Sequence, residues 1–361
     1  MKTTCLQENL HRALGIVGGA IPKGKALSPI TQNVLIEADG GQIKLKGTNL
    51  SATISVWIDS IESKPGQVLV PHKQLSDLVG SFPRDKVELE LKDSSLSIVC
   101  GKSRAKLRVA DVSEFPIGFA VKATKTILVE SKTLKDGFAV SFATASTERA
   151  ELSGVKVSME KGKLEFAATD GYKLAIREIP LDNDSLSEVV IPKETVEILE
   201  SMLGNPDEMV AMGVGEGQIR FELPSFEVTG PLLAGQFPKY KDAIPSGYSC
   251  SVELNRLDLL RSLKSAIVLP KEQKVVWGVV RADSLLLKSR SQELGEYESV
   301  IEAKCTGEGR IAFNGEDMAA CLGSMSESKV VIEIGTLTQP ILLSEKGCKI
   351  IVMPVVTPWW E

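Results

Sequence analysis

The chain has 361 residues, 42 Lys and Arg against 47 Asp and Glu for a net charge of −5, 43% hydrophobic and 5% aromatic residues, six Cys and two His. That composition excludes a disordered chain, and at about 150 residues per domain the length suggests two or three domains with their own cores. No apolar run approaches the roughly 20 residues that cross a bilayer, and the opening MKTTCLQENLHR lacks the apolar stretch of a signal peptide, so neither membrane insertion nor secretion is expected.

The first predicted element is a helix over 6–17 with Leu10 and Leu14 on its apolar face. A hairpin with alternating strands follows over 34–47 around Gly40. A second helix over 71–82 opens at Pro71 and carries Leu75, Leu78 and Phe82, and a second hairpin over 87–100 turns near Ser94. Glu114-Phe115-Pro116 ends this succession, which then returns. Its second copy is a helix over 131–142 (Leu134, Phe138), a hairpin over 155–168 around Gly162, a helix over 192–203 (Val196, Leu199, Leu203), a hairpin over 209–223 near Glu216, and Gln236-Phe237-Pro238. The third has a helix over 255–267 (Leu259, Leu263), a hairpin over 279–289 at Asp283, a helix over 314–325 (Met318, Cys321, Met325) and a hairpin over 330–344 near Leu337. Equivalent positions lie 121 to 125 residues apart. A fixed period means one structural unit repeated. We therefore expect an α+β fold of three tandem domains, 1–120, 121–246 and 247–361, each with two helices packed on one face of an antiparallel sheet.

Chemistry-bearing motifs are scarce. Cys5, Cys100, Cys250, Cys305, Cys321 and Cys348 are scattered without a CxxC pair, so no zinc site or disulfide framework is indicated and a reducing cytoplasm is expected. With only His11 and His72, Ser-His and Cys-His machinery is hard to build. Gly101-Lys102-Ser103 ends like a phosphate loop, but Leu96 stands where that loop needs its first glycine. The Gly213–Gly217 run precedes a strand and not a helix, so it reads as a hairpin turn. Asp182-Asn183-Asp184-Ser185 begins like a calcium loop without the glycine at its sixth position. Neither catalysis, nor a metal, nor a cofactor is expected.

One segment is more specific. Ala168-Thr169-Asp170-Gly171-Tyr172-Lys173-Leu174-Ala175, with Gln236 to Tyr240 and Ile351-Val352-Met353-Pro354, closely resembles the bacterial DNA polymerase III beta subunits, the sliding clamps. Gly47-Thr48-Asn49-Leu50, Gly101 to Arg104 and Asp111 to Pro116 extend the resemblance over essentially the whole chain. It implies three DNA-clamp domains forming half of a closed ring, a head-to-tail homodimer that encircles double-stranded DNA without reading sequence. It also implies a non-catalytic, cytoplasmic processivity factor in DNA replication. The partners implied are the DNA polymerase III alpha subunit, the clamp loader and other proteins with a clamp-binding motif. A clamp-like paralogue serving as a repair or regulatory hub is the alternative.

The resemblance further implies a hydrophobic peptide groove at Leu152, Thr169, Gly171, Tyr172, Lys173, Leu174, Pro238, Ile351, Val352, Met353 and Pro354. It points to a subunit interface at Ala105 and Leu107 against Ile267 and Val268. A sliding sleeve needs phosphate attraction without base readout. The helices and their flanks offer Arg12, Lys23, Lys25, Lys73, Lys132, Lys135, Arg149, Lys193, Arg256, Arg261 and Lys264 to line the pore. A ring can be acidic outside and basic inside, so the net charge does not exclude DNA. Family members commonly end soon after the Met353-Pro354 position, whereas here Val355 to Trp359-Trp360-Glu361 follow, expected either to pack into the groove as a partial self-block or to form a disordered or surface-packed tail.

Overall fold

The computed structural model describes residues 1–358 apart from 23, 25–27, 117, 119–120, 147–148, 183–186, 246 and 271–273. Lys23, Lys25, most of the Asp182–Ser185 run and the Trp359-Trp360 tail therefore lie outside the described residues. The helices are α1 Gln7–Val17, α2 His72–Ser81, α3 Ser131–Phe138, α4 Lys193–Met202, α5 Arg256–Ala266 and α6 Gly315–Ser324. Four of them begin where an Asn or Pro start signal stands, whereas α1 follows Leu6 without a side-chain cap. Asn255 accepts hydrogen bonds from the amides of Leu257 and Asp258, and Asn314 from those of Glu316 and Asp317. Pro71 and Pro192 immediately precede α2 and α4. α3 is shorter than expected, and a 3-10 turn, Ala139–Ala143, completes the segment.

The periodic apolar positions are buried, among them Leu10, Leu14, Leu75, Leu134, Phe138, Val196, Leu199, Leu259, Leu263, Met318 and Cys321. Leu78 and Phe82 depart from this pattern and are half-buried. α2 turns Val79 into the core four residues after Leu75, so Leu78 lies at the margin of its apolar face.

The described residues form two compact units, Met1–Lys135 with Glu194–Leu232, and Asp136–Lys193 with Leu233–Glu361. All paired strands run antiparallel among the described residues. The first unit contains a five-stranded sheet with Glu62–Lys64 and Ser103–Arg108 as its two outer strands, and an eight-stranded sheet. The second contains a twelve-stranded sheet. Hairpins fall where turn residues stand: Gly40, Gly101, Gly162 and Gly217 all take positive φ at their bends. The phosphate-loop and dinucleotide-like motifs are thus ordinary strand turns.

The sheets do not stop at the repeat boundaries. In the first unit, strand Phe226–Pro231 pairs with Thr53–Asp59. In the second, Lys173–Pro180 pairs with Cys348–Val352. Each pairing satisfies backbone edges that would otherwise be open. The registers match as well as the partners. Thr229 opposes Thr53 and Arg220, while Ile351 opposes Leu174 and Leu342, each position one repeat from its counterpart.

Candidate partner-binding site

Lys163–Thr169 and Lys173–Pro180 are antiparallel strands joined by a tight turn at Asp170-Gly171-Tyr172. Thr169 Oγ1 donates to the Lys173 carbonyl at 2.7 Å and accepts from the Gly171 amide at 3.1 Å. Asp170 Oδ1 accepts from the amides of Tyr172 and Lys173, both at 2.8 Å. Gly171 supplies the φ of 93° that the bend needs. The turn presents Tyr172 to solvent, 73% exposed.

The C-terminal strand then runs alongside. Lys173 opposes Val352, Leu174 opposes Ile351, and the Met353 amide donates to the Tyr172 carbonyl at 2.8 Å. Beyond it, the Val355 amide donates to the Ala312 carbonyl at 2.8 Å, directing the chain past Pro354. Leu174 and Ile351 belong to a buried cluster with Ala167, Ile176, Val190, Phe237, Tyr240 and Leu342. Met353 is 41% exposed and Pro238 is exposed at the rim of the Phe237-Tyr240 segment. The structure therefore brings Thr169, Gly171, Tyr172, Lys173, Leu174, Ile351, Val352, Met353 and Pro354 onto one turn and its neighbouring strand. Leu152 is buried in a separate 3-10 turn, Ala150–Leu152.

Electrostatics lock this surface. Lys173 Nζ is held by Asp170 and lies 2.9 Å from Asp317 Oδ1 in the first turn of α6. Burial by itself would lower the pKa of this ammonium, but the hydrogen bonds and charges of the two carboxylates outweigh it and the net shift is upward. Nearby, Glu165 is almost fully buried and accepts from the Tyr240 hydroxyl, with Lys241 at 3.3 Å and Lys163 at 3.6 Å. Burial pushes its carboxyl up, yet the Tyr240 hydrogen bond and the Lys241 charge bring the net shift down. Sequence reading missed Asp317, Glu165 and Tyr240 as supports, because their partners lie 144 and 75 residues away.

The predicted pore cations Arg12, Lys73, Lys132, Lys135, Arg149, Arg261 and Lys264 are exposed, and Lys193 is half-buried. Arg256 gives Nε to the Glu327 carbonyl and Nη1 to that of Leu322, both at 2.8 Å, and so serves the C-terminal end of α6. Acids share these helices, with Glu194, Glu197 and Glu200 on α4 and Glu316 and Asp317 on α6. Of the predicted interface residues, Ala105 and Leu107 are half-buried on the outer strand Ser103–Arg108. Ile267 is half-buried and Val268 is 69% exposed just after α5. The described residues contain no cluster of three or more His, Cys, Asp or Glu fit to hold a metal, and none of their helices is long and apolar enough to cross a membrane.

Helix pairs on antiparallel sheets, repeated along the chain in one register, define a DNA-clamp fold. Solved clamps from Eubacterium rectale and Pseudomonas aeruginosa superpose with a TM-score of 0.93 at 24% identity, covering 98% of this chain and 99% and 100% of theirs. One from Bartonella birtlesii, solved bound to griselimycin, is 26% identical with a TM-score of 0.91, covering 99% of this chain and 100% of its own. Residues 1–119 match the family model for the N-terminal domain of the DNA polymerase III beta subunit, and residues 129–239 that for its central domain. The beta sliding clamps of Synechocystis sp. and Synechococcus elongatus are 30% and 29% identical, each alignment spanning 98% of this chain and 99% of the relative. The chain belongs to the DNA polymerase III beta subunit family, the beta sliding clamps.

Proposed function

We propose that two copies of this chain close head to tail into a ring around duplex DNA, and that the ring tethers the replicative polymerase and other partners without catalysis of its own. Three domains with the boundaries read from the repeat, 1–120, 121–246 and 247–361, make each half of that ring. The observation that carries the reading is the surface made by the Thr169–Lys173 turn and the Ile351–Pro354 segment. An aromatic side chain and a flexible Met stand exposed there on a rigid hydrogen-bonded frame, which suits short hydrophobic peptide motifs. Family membership supports the DNA reading, and the exposed cations of α1, α3 and α5 supply attraction to phosphates.

Charge on two strands supports the ring. Strand Ser103–Arg108 exposes Arg104, Lys106 and Arg108 at one edge of its sheet, while strand Gly295–Thr306, which lies between two neighbours and packs against α5, exposes Glu296, Glu298 and Glu302 beside Lys304, with Glu298 paired to Lys288 at 2.7 Å and Glu296 to Arg290 at 3.5 Å. Opposite charges on two strands favour one pairing and oppose self-pairing of either. A replication clamp of this kind works in the cytoplasm.

The test is retention on DNA after loading. The ring should remain on a closed circle and be lost on linearisation, and it should lengthen the products of its polymerase. Equal retention on both forms would refute encirclement.

A further inference from the structure

The two repeat junctions share a register but not a chemistry. In the second unit, Leu174, Ile176, Ile351, Leu342 and Ala167 form an apolar face packed against Phe237 and Tyr240. One repeat earlier, in the first unit, the matching positions hold Thr53, Ser55, Thr229, Arg220 and Lys46, and Gly118 stands where Tyr240 would be. Phe115 keeps the place of Phe237 and packs on Leu35 and Leu69. Gly118 borders a cleft of about 520 Å³, within the usual range for small-ligand sites.

Its lining is rich in donors. Lys44, Lys46, Lys122 and Arg220 face it, with Glu227 as the acid among the lining residues. Lys46 is engaged by Glu37 at 2.7 Å, but Lys44 lies 3.7 Å from Glu227, beyond hydrogen-bond reach. Arg220 touches Glu222 at 3.3 Å through Nη2, while its Nε is buried with no hydrogen-bond partner among the described residues. That nitrogen is closed off from solvent, so what Arg220 offers the cleft is the rest of a side chain that is 32% exposed. The hydroxyl residues Thr53, Ser55 and Thr229 are each 3% exposed and form part of the lining.

We propose that this cleft binds a small phosphate-bearing anion of about pyrophosphate size. Guanidinium and ammonium groups gathered on one cavity match oxygens that accept on every side, and the planar Arg group adds direction. A hydrophobic peptide, the occupant proposed for the other surface, would meet charges here that it could not pair.

The experiment titrates the full-length chain with inorganic pyrophosphate by calorimetry at fixed ionic strength, with tricarballylate as a carboxylate of similar charge. Pyrophosphate should bind in the micromolar to low millimolar range. The double variant Lys46→Ala, Arg220→Leu, which installs the residues of the other junction, should weaken it at least tenfold. Gly118→Tyr is a second route to the same loss. A Cβ at Gly118 would meet Thr53 Cγ2 at 3.7 Å, ordinary contact, so the backbone accepts a side chain there. Circular dichroism confirms folding of both. The proposal is overturned if pyrophosphate does not bind, if tricarballylate binds more tightly, or if folded variants bind as the parent does.

Discussion

The ammonium of Lys173 lies 2.9 Å from Asp317 although 144 residues separate them in sequence, and the same ammonium is held by Asp170 of its own turn. One nearly buried cation thus fastens the turn that presents Tyr172 to the first turn of α6. Asp317→Asn should cost about 1 kcal/mol of unfolding free energy, measured by urea denaturation. Because the folded pKa of Lys173 is raised, its contribution is complete below the unfolded value of about 10.4 and is lost as pH rises through the folded one. The difference between parent and Lys173→Met should therefore be flat from pH 6 to 9 and shrink only in stronger base, with pH set by about those bounds.

Glu165 behaves with the opposite sign. Its net pKa is lowered, so its stabilisation is present above the unfolded value of about 4.3 and lost as pH falls through the folded one. Glu165→Gln should make the acid unfolding transition shallower than in the parent. Tyr240→Phe removes a hydrogen bond to a buried carboxylate and should cost about 1–2 kcal/mol at neutral pH. An unchanged acid transition in Glu165→Gln would show that other carboxylates govern it.

Leu50 and Gly171 occupy equivalent bends. Thr48 Oγ1 donates to the Ala52 carbonyl at 2.8 Å and accepts from Leu50, and Asn49 Oδ1 accepts from Ser51 and Ala52, the same pattern as around Gly171. Leu50 takes a φ of 76° there, which costs a branched side chain about 1 kcal/mol. Leu50→Gly should raise the thermal midpoint, and Gly171→Leu should lower it.

Groove and interface separate by substitution. Met353 is exposed, so Met353→Ala should weaken binding of a hydrophobic clamp-binding peptide at least fivefold with little change in stability. Leu174→Ala should lower both, at about 2–3 kcal/mol of stability, because Leu174 is also core.

Val268→Asp places a charge on an exposed apolar position and should shift the solution mass from dimer to folded monomer. A monomer formed by Lys106→Glu should regain the dimeric mass when mixed with an otherwise native Glu298→Lys chain. Failure of that rescue would remove the proposed strand pairing.

The sequence by itself determined the helices, the hairpins and the threefold repeat. Apolar spacing of three to four residues or two is a local property, and Leu10, Leu134 and Leu259 announce it within one turn of helix. The tight bend at Thr169–Lys173 was legible for the same reason, since its hydrogen bonds close within four residues. Only the tertiary structure decided that Phe226–Pro231 pairs with Thr53–Asp59, that Lys173 reaches Asp317, and that Gly118 borders a cation-lined cleft. Those outcomes depend on which strand edges meet across more than a hundred residues, and no window of local periodicity contains that choice.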